Sequence, residues 1–206
     1  MIKHIAVAGN IGSGKTTLTN LLAKHYGWDT QLEDTEDNPY LADFYEDMQR
    51  WSFNLQVYFL NIRFNHIRKI REGNNTVIQD RTIFEDAQIF APNLHAMGLM
   101  STRDFDNYQS LFTSVNSMIE APDLLIYLRG SISKLVDQIE QRGREYEDSI
   151  RIDYLRRLNE RYEAWITKYN AGPKIIINVD ELNFVENQDD LGKVIDSIET
   201  EINGLF

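Results

Sequence analysis

The stretch "GNIGSGKT" (residues 9–16) has the spacing of a phosphate-binding loop, G-x-x-x-x-G-K-[ST]. It follows an apolar run and precedes a segment of helical periodicity, the context such a loop needs. Glycines let the backbone turn tightly and aim N–H groups at phosphate oxygens, and the following helix adds its positive end. The phosphate-binding set read from this element is Gly9, Asn10, Ile11, Gly12, Ser13, Gly14, Lys15, Thr16 and Thr17. Lys15 is placed to reach the terminal phosphates, and the Thr16 hydroxyl to ligate Mg²⁺. The chemistry is phosphoryl transfer from a nucleoside triphosphate; the loop does not name the acceptor.

A second candidate element is "VIQDRTIFEDAQIFA" (77–91), which delivers Asp80, Arg81 and Thr82 at the carboxyl end of an apolar run. Ligands of open α/β sheets bind at that end. Asp80 is a candidate to hold Mg²⁺, directly or through water, and Arg81 to position an anion or hydroxyl; the plainer alternative is a surface ion pair. A third is "WSFNLQVYFLNIRF" (51–64). Phe53, Val57, Leu60 and Phe64 mark one helical face, while Gln56 and Arg63, two turns apart, share another line.

These residues need elements to carry them. Apolar runs at 2–9, 76–80, 123–129 and 174–179 read as buried strands, with a fifth, weakly marked, near 29–33. Helical periodicity covers 15–26, 39–72, 84–97, 101–120, 131–141, 150–170 and 187–203. Strands alternating with helices predict an α/β fold, a mostly parallel sheet flanked by helices, in a single domain over 1–206. "QRGREYED" (141–148) is a charged connection between two helical patterns, by itself a solvated loop.

Composition narrows the function classes. With 32 acidic against 21 basic residues the formal net charge is −11, which opposes general binding to nucleic-acid polymers or anionic membranes. There is no cysteine, so disulfides and thiolate metal sites are out, and a reducing compartment is compatible. No run approaches the ~20 apolar residues that span a bilayer, and the simplest expected location is the cytoplasm. His4, His25, His66 and His95 lack metal-ligand spacing, and Trp28, Trp51 and Trp165 read as packing residues. The acidic stretch 186–201 reads as an amphipathic helix. A GTPase would normally carry an Asn-Lys-x-Asp element, which is missing. A motor or transport ATPase needs a larger machine, so a small-molecule kinase fits the size.

Taken together, "GNIGSGKTT", "NPYLADFYED", "RWSFNLQ", "DRTIFED" and "RGREYE" stand in an order and spacing that resemble the deoxynucleoside kinases, in particular the deoxycytidine, deoxyguanosine and deoxyadenosine branch. The likeness spans residues 3 to 170 and implies a P-loop kinase fold with a five-stranded sheet and a short arginine-containing lid at about 141–149. It also implies ATP as co-substrate, Mg²⁺, deoxynucleoside salvage and a homodimer, through helices at 51–72 and 101–120. Carried over residue by residue, Glu33 matches the carboxylate that takes the proton of the sugar 5′-hydroxyl, with Asp34 standing where the family has proline. Arg81 matches the arginine beside that hydroxyl. Tyr45 and Glu147 match the pair that hold the 3′-hydroxyl. Gln56 and Asp86, with Arg63 beside them, match the base-reading residues. Arg142 and Arg144 match lid arginines, while Gln138 stands at a register where the family often has another. The implied catalytic set is therefore Glu33, Arg81 and Lys15.

Asp86 accepts from an exocyclic amino group, and the Gln56 amide both donates and accepts. Thymine has no such amino group, and thymidine-preferring relatives resemble this branch but carry apolar residues at the positions of Arg63 and Asp86. The "NPYL" element (38–41) resembles bacterial deoxyadenosine and deoxyguanosine kinases, so deoxyadenosine is the preferred substrate, with deoxyguanosine or deoxycytidine as alternatives. Phe53, Phe84 and Phe90 either pack in the core or sandwich the base. Two competing readings are a nucleoside monophosphate kinase, which would need more basic residues on the acceptor side, and a non-catalytic nucleotide-binding subunit.

Overall fold

A computed structural model of the chain describes residues 2–33, 37–144, 147 and 150–204. Five strands form one sheet: β1 (His4–Gly9), β2 (Asp29–Gln31), β3 (Val77–Asp80), β4 (Leu124–Arg129) and β5 (Lys174–Asn178). Their order is β2-β3-β1-β4-β5 and every pairing is parallel. The register sets Val7 opposite Asp80 and Gly9 opposite Leu128, so β1, β3 and β4 end along one edge. β1 has neighbours on both sides: the chain passes from it to β2 and back to β3 on one side, then crosses to β4 on the other. That is the switch point at which such sheets bind ligands.

Both sheet faces are covered, which is why the strands read as unbroken apolar runs. Ile5, Val7, Ile126 and Leu128 point to one face and meet Leu18 and Leu22 of α1 (Lys15–Tyr26) and Val194 and Ile198 of α9 (Gln188–Gly204). Ala6, Ala8, Leu125 and Tyr127 point to the other. There they meet α2 (Leu41–Glu46), α3 (Met48–Glu72), α6 (Thr102–Asn116) and α8 (Ile152–Lys168). The remaining helical pieces are α4 (Ile83–Glu85), α5 (Ala91–Ala96) and α7 (Ile132–Arg142).

Several expectations are corrected. The helix anticipated over 39–72 is two helices, because Asp47 leaves helical geometry (φ −139°, ψ 82°) and caps α3 by accepting from Arg50 N at 3.0 Å. The helix expected to run to residue 120 stops at Asn116, where Met118 N bonds to Val115 O at 3.0 Å and tightens the last turn. The most buried stripe of α3 is Ser52, Leu55, Gln56, Phe59, Leu60, Arg63, Ile67 and Ile70. Phe53, Val57 and Phe64, read from the sequence as its core face, are only half-buried. Gln56 and Arg63 thus lie on the inward face of the helix.

The segment expected as a single helix over 84–97 carries a π turn at Asp86–Phe90 between α4 and α5. Pro92 explains it locally: proline cannot donate to the carbonyl of Gln88 and its ring crowds that group, so the ladder loosens there. Ala91 N donates to Asp86 O instead.

Candidate active site

The phosphate loop caps the end of β1 and opens α1. Gly12 is at φ 81°, and a Cβ there would lie 2.5 Å from the Leu135 carbonyl oxygen, so no other residue fits without moving α7. Gly14 caps α1 in the left-handed region at φ 86°. The Asn10 amide ties the loop to α8 by donating to Leu155 O at 3.1 Å, while its oxygen accepts from Ile11 N at 2.8 Å. Lys15 is buried and its ammonium donates to Asn10 O at 2.9 Å. Burial, assisted by the Arg81 charge, lowers its pKa to about 8. The Ser13 hydroxyl is buried without a partner. Thr17 is exposed on the first turn of α1 and lines no part of the cavity below.

A cavity of about 390 Å³ opens from this loop. Lys15, Thr16, Asp80 and Arg81 line one part, with Arg142, Arg144 and Glu147 beside them. Glu33, Tyr45, Gln56, Asp86 and Phe90 line the remainder together with Leu41, Phe44, Leu55 and Phe59. The sequence reading did not single out Leu41, Phe44, Leu55 or Phe59, whose apolar side chains carry no motif signal. Asp37 and Tyr154 also line the cavity and carried no motif signal. Phe53 and Phe84 do not line it; Phe84 packs edge-on against Phe112. Asp34 and the lid positions 145, 146, 148 and 149 lie outside the described residues.

Charge around the cavity is arranged by two buried arginines: Arg81 lines it, whereas Arg63, expected beside the base, does not line it itself. Arg63 pairs with Asp86 through one guanidinium nitrogen and with Glu33 through another, and its carbon lies 4.5 Å from the Phe59 ring centre. Arg81 Nε lies 3.3 Å from Glu33 Oε1, and its guanidinium carbon is 4.7 Å from the centre of Phe90. Burial alone would raise the Glu33 pKa, but Arg81, Arg63 and Lys15 outweigh it and hold the carboxyl below its ordinary range. Asp86 goes the other way: burial pushes its pKa up to about 6 against the pull of Arg63. A carboxylate held ionised beside an arginine can accept a proton from a nearby hydroxyl and keep that hydroxyl oriented.

The Thr16 hydroxyl donates to Asp80 Oδ2 at 2.5 Å, and Asp80 Oδ1 is buried without a partner. Burial raises the Asp80 pKa, and the Glu33 charge adds to that. An orphaned carboxylate oxygen beside a phosphate-loop hydroxyl suits Mg²⁺, which keeps waters and phosphate oxygens and needs few protein ligands. No group of three or more His, Cys, Asp or Glu able to hold a metal occurs among the described residues. Near the lid, Arg142 Nε donates to Glu147 Oε2 at 3.0 Å and Arg144 Nη1 lies 3.7 Å from Glu147 Oε1, so this buried carboxylate holds both arginines. Gln138 has its side-chain oxygen buried and unpartnered, 3.9 Å from where a Cβ on Gly14 would stand.

The deoxynucleoside kinase family model matches residues 5–203. A deoxyadenosine/deoxycytidine kinase of Bacillus subtilis is 41% identical, over 97% of this chain and 93% of its own length. A deoxyadenosine kinase of Lactobacillus acidophilus is 36% identical, covering 98% of this chain and 97% of its own. A deoxyguanosine kinase of Lactobacillus johnsonii is also 36% identical, over 94% of this chain and 90% of its own length. Among solved structures, deoxyadenosine kinase from M. mycoides with bound dATP superposes with a TM-score of 0.85 at 27% identity, covering 95% of this chain and 99% of that one. With a phosphate loop and a buried carboxylate between two arginines at one cavity, a family match over residues 5–203 and relatives of this identity, the chain belongs to the deoxynucleoside kinase family and is a phosphotransferase acting on an alcohol group.

Proposed function

We propose that the protein transfers the γ-phosphoryl group of ATP to the 5′-hydroxyl of deoxyadenosine, giving dAMP and ADP. The observation that carries the choice of base is Gln56: it is buried, it lines the cavity, and its side-chain oxygen has no partner. An adenine offers the 6-amino donor to that oxygen and a ring nitrogen to the amide N–H, so both are satisfied at once. Cytosine offers a similar pair and ranks second, whereas guanine brings a carbonyl where the orphaned oxygen needs a donor. The names of the relatives divide among deoxyadenosine, deoxycytidine and deoxyguanosine. Asp86, held by Arg63, completes the base edge, and Phe90 and Phe59 supply its apolar walls.

In the proposed reaction Glu33 accepts the 5′-hydroxyl proton as the new O–P bond forms, Arg81 orients that oxygen, and the bond to the ADP oxygen breaks in line. Tyr45 and Glu147 hold the sugar 3′-hydroxyl. Lys15 and the loop N–H groups cradle the phosphates, and Arg142 and Arg144 transfer from Glu147 to the triphosphate as the lid closes. Thr16 and Asp80 would hold Mg²⁺, which supplies neutralisation of the phosphate charge when bound. We further propose one domain over 1–206 acting as a cytoplasmic homodimer. Two facts are compatible with that form: no helix among the described residues is long and apolar enough to cross a membrane, and α6 carries the exposed Leu111 at its surface.

Asp86→Ala tests the base-pocket assignment. Competition among the four deoxynucleosides should show relaxed base choice, by on the order of tenfold for one lost hydrogen-bonding partner, with the KM for ATP little changed. Unchanged selectivity would contradict the role given to Asp86.

A further inference from the structure

Glu85 is fully buried, and no catalytic step described above uses it. Its Oε1 accepts from the backbone N–H of Gly9 at 3.2 Å and from the Tyr162 hydroxyl at 2.8 Å. Its Oε2 accepts from Thr82 N at 2.6 Å. The Tyr162 hydroxyl in turn accepts from Arg81 Nη1 at 2.8 Å, and that nitrogen also lies 3.6 Å from Glu85 Oε1. One carboxylate is therefore tied to the first glycine of the phosphate loop and, directly and through a tyrosine, to the arginine beside Glu33.

Arg81 needs such support. It is the non-glycine residue with positive φ among the described backbone, at 67°, a conformation unfavourable to any residue with a side chain. Residues held there persist when their surroundings over-determine them. Arg81 N donates to Val7 O at 2.9 Å, which anchors the backbone, and the Tyr162–Glu85 pair anchors the guanidinium. Burial keeps the Tyr162 hydroxyl protonated far beyond its ordinary range, so it donates to Glu85 at any working pH. Tyr162 comes from α8, stacked against Tyr127 of β4 at 5.9 Å, a rigid support for the relay.

We propose that Glu85, acting through Tyr162, is a positioning residue that holds Arg81 and the phosphate loop in one fixed register. The consequence is that the arginine orienting the acceptor hydroxyl and the loop holding the donor phosphates move as a unit. The proposal rests on the functional reading above. A plainer role is available, since Glu85 closes a capping box with Thr82 at the start of α4. Glutamine serves that box as well as glutamate does. A glutamine, however, has one acceptor oxygen and cannot serve Thr82, Gly9 and Tyr162 together. The two roles therefore separate on Glu85→Gln.

The test is steady-state kinetics of wild type, Glu85→Gln and Tyr162→Phe with deoxyadenosine and ATP, each variant also in an Arg81→Ala background, with unfolding midpoints measured in parallel. Both single variants should lose on the order of tenfold in kcat, with KM for ATP changed less than about twofold. In the Arg81→Ala background the same substitutions should cost little more, because their effect passes through Arg81. Full kcat in both single variants, or a loss that simply adds to that of Arg81→Ala, would overturn the proposal. Should Glu85→Gln fail to fold, the Tyr162→Phe cycle decides, since it deletes one hydroxyl and keeps the ring. A wild type inactive on all four deoxynucleosides overturns the functional reading and this one with it; an active wild type with indifferent variants overturns this one alone.

Discussion

At the residue scale, the site is organised by sharing. Arg63 serves Asp86 and Glu33 together, so the group proposed to face the base and the group proposed to face the 5′-hydroxyl are held by one guanidinium. Removing either carboxylate leaves a buried cation half-compensated, which is why the pair is costly to break. Glu33 is the proposed proton acceptor, and glutamine keeps its shape but not its basicity. Glu33→Gln should lower kcat by roughly 10²–10⁴-fold while deoxyadenosine binding, measured by calorimetry, stays within several-fold. An unaffected rate would move the proton acceptor elsewhere.

At the scale of elements, the sheet carries a test of its own. His4 of β1 is buried against Gln79 of β3, with Nε2 2.7 Å from Gln79 Oε1 and Nδ1 unpartnered. Burial lowers its pKa to about 4. The folded state thus resists protonation that the unfolded chain accepts near pH 6.5, so this histidine's contribution is complete above pH 6.5 and is lost as pH falls toward 4. Its share is about 2 kcal/mol between pH 8 and pH 5. Denaturant unfolding at those two pH values should show a smaller loss for His4→Gln than for wild type; equal losses would contradict the assignment.

How far these elements were legible in the sequence follows from what signals them. Strands β1 and β4 announce themselves because nearly all their residues are buried and apolar, and β3 and β5 by short apolar runs, Val77–Ile78 and Ile175–Ile177. β2, the three residues Asp-Thr-Gln, is exposed at the edge and owes its existence to pairing with Val77–Gln79, which no local pattern records. Phosphate-loop residues were readable because backbone geometry demands glycine at set positions. The inward turn of Gln56 and Arg63 was readable only through the family resemblance, since by spacing alone polar residues on a helix default to solvent. The π turn at Asp86 and the Glu85–Tyr162 contact, 77 residues apart in sequence, are likewise products of tertiary placement.

At the scale of the whole molecule, the charge distribution is uneven in a useful way. A chain of net charge −11 brings Lys15, Arg81, Arg142 and Arg144 to one cavity. The same cavity holds the carboxylates Glu33, Asp37, Asp80, Asp86 and Glu147, so its cations are paired, and the proposed triphosphate would compete with those carboxylates for them. The order of strands completes the design: the phosphate loop stands at the end of β1, and Asp80 and Arg81, proposed to face both substrates, at the end of β3 beside it. The family supplies the reaction class, and deoxyadenosine as acceptor is the proposal argued from Gln56.

The most direct test of that claim is a product assay with ATP, Mg²⁺ and each of the four deoxynucleosides, scoring monophosphate and ADP. The account predicts the highest kcat/KM for deoxyadenosine, then deoxycytidine, with thymidine last. Turnover of none of the four, or a preference for thymidine, would contradict it.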